Sequence, residues 1–109
     1  MRAVGIALAS IVSVLPANAG AQDIEAGHRI AAMWCAKCHA VEARQTGPAL
    51  DVAPPFTTIA RMKSTTAASL NVFLSTPHPP MPDFSLTRRE IADVSAYILS
   101  LRPGPGKGT

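Results

Sequence analysis

The feature that most limits what this chain can form is the segment AAMWCAKCHA at residues 31–40. Cys35 and Cys38 are the only cysteines in the 109 residues, and His39 directly follows the second. Cysteines at this spacing can form a redox disulfide, contribute to a metal site, or attach a cofactor covalently. The rest of the sequence has to distinguish among these three chemistries.

The N-terminus, residues 1–21, is typical of a secretory signal peptide. Arg2 precedes an apolar run, and two A-x-A cleavage patterns end at Ala19 and Ala21. The apolar run is too short for a membrane-spanning helix, which needs roughly 20 residues. We therefore expect export, cleavage after residue 19 or 21, and no stable membrane insertion afterwards.

The mature chain is expected to be one domain at residues 22–102 with a flexible tail at 103–109. Loss of Arg2 lowers the formal net charge from +3 to +2. A charge this small, without a basic run, argues against a nucleic-acid partner. A domain of this size buries only about 60–65% of its unfolded surface, so a bulky apolar cofactor would supply missing core.

The cysteines follow a predicted helix. Asp23 is the expected N-cap, and apolar residues recur at helical spacing as far as Trp34. If that helix continued at about 100° per residue, Cys35, Cys38 and His39 would project from one face. Two thiols and an imidazole on one face suit a haem, whose vinyl groups take the thiols and whose iron takes the imidazole. C-x-x-C-H is the pattern of c-type haem attachment.

Two other readings of the cysteine pair are weaker. A thioredoxin-like redox site needs strands that alternate with helices, and no convincing strand run is present. A structural zinc site needs four ligands, and the remaining candidates, His28 and His78, are poorly spaced for it.

A second axial ligand for the iron is sought in PHPPMPDF, residues 77–84. Met81 is favoured because a methionine in a proline-rich polar loop has little core to fill, and a thioether raises the reduction potential of a carrier. His78 is the second choice. Met33 is too near the cysteines to reach the opposite haem face, and Met62 is interpreted as a packing residue.

The chain resembles a small class I, mono-haem cytochrome c of the short bacterial exported type. The resemblance covers residues 23–102 and rests on CAKCH, TGPAL, MPDF and a closing amphipathic helix. It implies an all-α fold of about three to five helices around one covalent haem c, with the N- and C-terminal helices crossing. In that family the proline of G-P-x-L offers its carbonyl to the proximal histidine. Pro48 matches this position and would accept from His39.

Helix signals elsewhere agree with such a fold. Thr87 and Glu90 form a capping-box pattern, and Gly27 is expected to let the first helix approach the Val94/Tyr97 region closely. Ala31 departs from the family, which often has an aromatic residue there, so either Trp34 and Tyr97 fill the space or the contact is looser. Further starts are predicted at Pro54-Pro55 and at Thr65 or Thr66, and haem packing is predicted for Leu70, Phe73 and Leu74.

The sequence thus predicts a periplasmic one-electron carrier with a His/Met-ligated haem and no catalytic residues. Its partners would be a redox protein donor and acceptor, met as a monomer or as a subunit of a redox complex. Alternatives are the haem subunit of an exported dehydrogenase complex, a haem sensor or enzyme in which Met81 is displaceable, and a thiol oxidoreductase.

Overall fold

A computed structural model describes residues 1–6, 8–14, 22–44 and 52–104. It contains four α-helices and one π-helical turn: α1 (Ile24–Ile30), the π turn (Ala31–Cys35), α2 (Phe56–Arg61), α3 (Ala67–Ser75) and α4 (Arg88–Ser100). Apart from an isolated bridge between His78 and Met81, no strand pairing occurs in these ranges. The predicted all-α class and helix number are confirmed.

The first and last helices cross at Gly27, as predicted. A Cβ atom at this glycine would lie 2.0 Å from the Asp93 carbonyl oxygen and 2.9 Å from the Cβ of Tyr97. The N-terminus of α1 is fastened to the same place, because the Asp23 N–H donates to Asp93 Oδ1 at 2.9 Å. Asp23 is also the N-cap that the sequence predicts, since its side chain accepts from the Ala26 N–H. Among the helices of the described chain, α1 and α4 form the most extensive contact.

Helix α4 begins at the predicted capping box and has a buried apolar face. The Thr87 side chain accepts from the Glu90 N–H, and the Glu90 carboxylate accepts from the Thr87 N–H. Its buried residues include Ile91, Val94, Ser95 and Ile98, in agreement with the predicted amphipathic helix. The helix ends at Ser100, shortly before Pro103, which cannot continue a helix.

The capping box gives a first testable prediction. Replacing Thr87 with alanine should cost about 1 kcal/mol of unfolding free energy, because the Glu90 N–H loses its side-chain acceptor. For a domain of this size that is a fall of about 4–8 °C in Tm. Thr87→Ser retains the hydroxyl and is the matched control. Equal melting temperatures for the two variants would show that the cap does not stabilise α4.

The two short middle helices also begin where predicted. Pro55 precedes α2, and Thr66 caps α3 by accepting from the Ser69 N–H. Arg102, after α4, holds the connection between them, because its guanidinium donates to the carbonyls of Ala60 and Thr65. Both middle helices also contact α4.

The remaining described residues bear on the predicted signal peptide and tail. Residues 1–6 and 8–14 form no regular secondary structure, and their side chains are exposed. The predicted cleavage positions lie outside the described residues, as does the tail from residue 105 onward. None of the helices in the described ranges has both the length and the apolar character needed to cross a bilayer.

The core that these helices form is small. Among the described residues, five apolar side chains larger than valine are buried: Phe56, Leu70, Ile91, Tyr97 and Ile98. Several large apolar side chains are at least 46% exposed: Met33, Trp34, Met62, Val72 and Phe73. This distribution agrees with the expectation that a bulky apolar group completes the core.

Candidate cofactor site

The segment that carries the cysteines leaves regular α-helical geometry. The Ala36 N–H donates to the Ala31 carbonyl at 3.0 Å, a bond across five residues, which widens the turn. The continuous α-helix on which the sequence argument placed Cys35, Cys38 and His39 therefore ends at Ile30. A bond from the His39 N–H to the Cys35 carbonyl at 2.9 Å still keeps these two residues one turn apart.

The two thiols have different surroundings and form no disulfide. Cys35 is 8% exposed, and burial raises the pKa of its thiol above the ordinary value. Cys38 is half-buried. A dithiol oxidoreductase needs a nucleophile with a lowered pKa. The environment of Cys35 does the opposite, which counts against the thiol oxidoreductase alternative.

His39 is held in one orientation by the backbone. Its Nδ1 lies 2.6 Å from the Pro54 carbonyl oxygen. A carbonyl only accepts, so Nδ1 carries the proton and Nε2 has the lone pair, which is the state needed to bind a metal. The ring also packs beside Phe56, with 5.3 Å between ring centroids.

Pro54 was not predicted for this role. The family resemblance assigns the acceptor carbonyl to Pro48, which lies outside the described residues, so that assignment stays a prediction. Pro54 is brought to His39 by a long-range bond from the Phe56 N–H to the Ala40 carbonyl at 2.9 Å. The Pro54-Pro55 pair was read from sequence only as a helix start, and nothing local indicates what its carbonyl contacts.

The two predicted candidates for the second axial ligand meet in the loop between α3 and α4. His78 Nε2 lies 3.1 Å from Met81 Sδ, and His78 Nδ1 lies 2.8 Å from the Thr76 carbonyl oxygen. The Phe73 ring lies against the His78 ring, with centroids 3.7 Å apart and planes inclined at 42°. Met81 is half-buried beside a cavity that Leu74 and Leu86 also line. We call residues 76–86 the distal loop.

An aromatic contact joins the cysteine segment to the distal loop. The rings of Trp34 and Phe84 have centroids 5.4 Å apart and planes inclined at 37°. Trp34 directly precedes Cys35, and Phe84 follows Met81 by three residues. The Trp34–Phe84 pair therefore places the two halves of the candidate site side by side.

Of the two residues predicted to fill the space left by Ala31, Tyr97 is buried in the core and Trp34 is not. Ala31 is fully buried, and Tyr97 belongs to the same core cluster. The Tyr97 hydroxyl donates to the Val41 carbonyl at 2.6 Å, and burial raises the pKa of this phenol. Trp34 is instead 46% exposed. Of the residues expected to pack on haem, Leu70 is buried in the core, whereas Phe73 is half exposed.

The zinc alternative finds no support in the described part of the chain. No group of three or more His, Cys, Asp or Glu side chains there converges as a metal site requires. His28 is engaged elsewhere, with its Nε2 2.7 Å from Glu42 Oε1.

The residues present fit a haem. Two thiols precede a histidine whose Nδ1 donates to the Pro54 carbonyl, which leaves the lone pair on Nε2. A soft thioether, Met81, stands on a separate loop. The half-exposed aromatic side chains Trp34, Phe73 and Phe84 would gain apolar contacts from a flat ring.

Comparison with known proteins agrees with this chemistry. The family model for cytochrome c matches residues 24–102. A curated cytochrome c-552 from Bradyrhizobium diazoefficiens (strain USDA 110) is 42% identical over 99 residues, which cover 91% of this chain and 94% of that protein. No solved structure matches the chain.

The chain belongs to the cytochrome c family, as a class I mono-haem member. Members of this family bind covalent haem c with its iron. The resemblance drawn from the sequence is therefore confirmed, together with its cofactor and its cytochrome c fold. It follows that the chain is a c-type cytochrome that carries electrons between redox partners.

Proposed function

We propose that this chain is a periplasmic one-electron carrier with a His/Met-ligated haem c. Cys35 and Cys38 form the two thioether bonds, and His39 and Met81 are the axial ligands of the iron. When bound, the haem supplies a reversible one-electron couple. The protein fixes the ligands, limits the access of water and sets the potential.

The geometry around His39 carries the proposal. Its Nδ1 donates to the Pro54 carbonyl, which fixes the tautomer and orientation of the ring and makes Nε2 a better ligand. That carbonyl is held by the bond between Phe56 and Ala40, so the orientation depends on two segments of the fold.

Met81 is the better second ligand for two reasons. It is half-buried at the cavity of the distal loop, whereas Met33 and Met62 are 63% and 50% exposed on other segments. Its competitor His78 lies against the Phe73 ring, which holds the imidazole close to α3. A thioether also gives a carrier a higher potential than a second imidazole does.

Export follows from the same proposal. Residues 1–21 act as the signal peptide, residues 22–102 form the cytochrome domain and residues 103–109 form its tail. The exposed, irregular backbone of residues 1–6 and 8–14 is compatible with removal of this segment. Periplasmic export delivers the chain to a compartment where an electron donor and an acceptor protein are its partners.

Covalent attachment is tested by solvent extraction. The mature protein is denatured in acid and extracted with an organic solvent, and we expect the haem to stay with the polypeptide and no thiol to titrate. The control is the double variant Cys35→Ala/Cys38→Ala, whose haem, where bound at all, should pass into the solvent. Extraction of haem from the unsubstituted protein, or titration of two thiols per chain, would refute the attachment.

A further inference from the structure

The distal loop is held mainly by contacts between near neighbours in sequence. His78 bonds to the Thr76 carbonyl and contacts Met81 three residues later. At the far end the Ser85 N–H donates to Asp83 Oδ1, and Ser85 has a φ of 52°, a left-handed conformation that few side chains favour. Such contacts shape the loop, and the Phe73–His78 contact joins it to the adjoining helix α3, but none of them connects it to the segment that carries the cysteines.

The Trp34–Phe84 pair is a contact between the distal loop and a segment distant in sequence. That segment is the turn that carries Cys35. Trp34 is 46% exposed and Phe84 is 37% exposed, so the pair does not belong to the buried hydrophobic core. An offset, inclined arrangement at this distance is the attractive one for aromatic rings.

We propose that the Trp34–Phe84 pair keeps the distal loop closed and thereby sets how readily Met81 leaves the iron. Trp34 and Phe84 are positioning residues in this scheme, because they act through Met81. The inference rests on the proposed assignment of Met81 as an axial ligand. An external ligand can bind the iron only when the loop is open. Its apparent affinity is therefore the intrinsic affinity multiplied by the fraction of molecules with an open loop.

The expected effect follows from the strength of an aromatic pair. Such pairs contribute enough beyond burial to change an equilibrium by about two-fold to ten-fold. Removing either ring should therefore raise the apparent affinity of the ferric protein for imidazole by that factor. Removing both should raise it no further, since either single change already abolishes the contact.

The experiment titrates imidazole into the ferric mature holoprotein and follows the loss of the thioether–iron absorption band. Trp34→Ala, Phe84→Ala and the double variant are compared with Met33→Ala, which truncates an exposed apolar side chain next to Trp34. Trp34→Phe restores a ring and should return the affinity towards that of the unsubstituted protein. Phe84→Leu keeps apolar bulk without a ring and replaces Phe84→Ala if that variant does not fold.

The outcomes separate the two proposals. If Trp34→Ala behaves like Met33→Ala, or if the effects of Trp34→Ala and Phe84→Ala add fully, the positioning role is refuted while the ligation by Met81 stands. If Met81→Ala leaves the spectrum of the holoprotein unchanged, the ligation itself is wrong. Faster amide hydrogen exchange confined to residues 76–86 in Trp34→Ala is the expected sign of loop opening, and equal exchange throughout the domain would contradict it.

Discussion

Replacing Gly27 with alanine is expected to destabilise the domain by about 3 kcal/mol or more, at the upper end of overpacking. The added Cβ would lie 2.0 Å from the Asp93 carbonyl oxygen and 2.5 Å from its carbon. Both are backbone atoms of α4, so no side-chain rotation relieves the overlap and the two helices have to separate. Tm should fall by about 15 °C or more for a domain of this length.

The sign of this effect is what makes it informative. In an ordinary helix, exchange of glycine for alanine favours the helix by about 1 kcal/mol, so propensity alone predicts stabilisation at Gly27. Gly104→Ala is the matched control, because no atom lies within 4 Å of a Cβ built there. Thermal unfolding of the holoprotein measures both. A Gly27→Ala protein that melts within a few degrees of the unsubstituted one would show that α1 and α4 tolerate a wider separation.

The elements that could be predicted from sequence are those determined by short-range chemistry. Asp23, Thr66 and Thr87 each accept a hydrogen bond from an N–H three residues further on, so a few residues suffice to locate these helix starts. The crossing at Gly27 was predictable for a different reason. It depended on the family resemblance, which supplied the long-range pairing of α1 with α4.

The details that escaped prediction depend on contacts between distant segments. The π turn at Ala31–Cys35 has no distinctive composition, and α-helical spacing was the natural assumption for it. The carbonyl that orients His39 belongs to Pro54, which the bond between Phe56 and Ala40 brings into place. The Trp34–Phe84 pair likewise joins segments whose proximity no local pattern encodes.

Met81 and His78 lie together at the proposed position of the second axial ligand. Both residues were singled out from one loop, and their donor atoms lie 3.1 Å apart. Because His78 Nδ1 donates to the Thr76 carbonyl, the lone pair of neutral His78 is on Nε2, which faces the sulfur. Two competent ligands thus converge on one place, and the iron can take one of them on that side.

Met81→Ala should accordingly change the ligand set rather than simply remove a ligand. We expect the thioether–iron band to vanish and the imidazole of His78 to take the position, giving a low-spin iron with a lower potential. A hundred-fold shift in preference towards ferric iron corresponds to about 120 mV for one electron, and a fall of at least this size is expected in a redox titration.

His78→Ala separates this expectation from its alternatives. Alone it should leave the spectrum and potential nearly unchanged, because Met81 retains the iron. Combined with Met81→Ala it should give a high-spin iron that binds added imidazole, since neither side chain of the pair remains. The reverse pattern, in which His78→Ala abolishes the low-spin spectrum and Met81→Ala does not, would make this a bis-histidine cytochrome. The 3.1 Å contact would then mark Met81 as the neighbour of the ligand rather than the ligand itself.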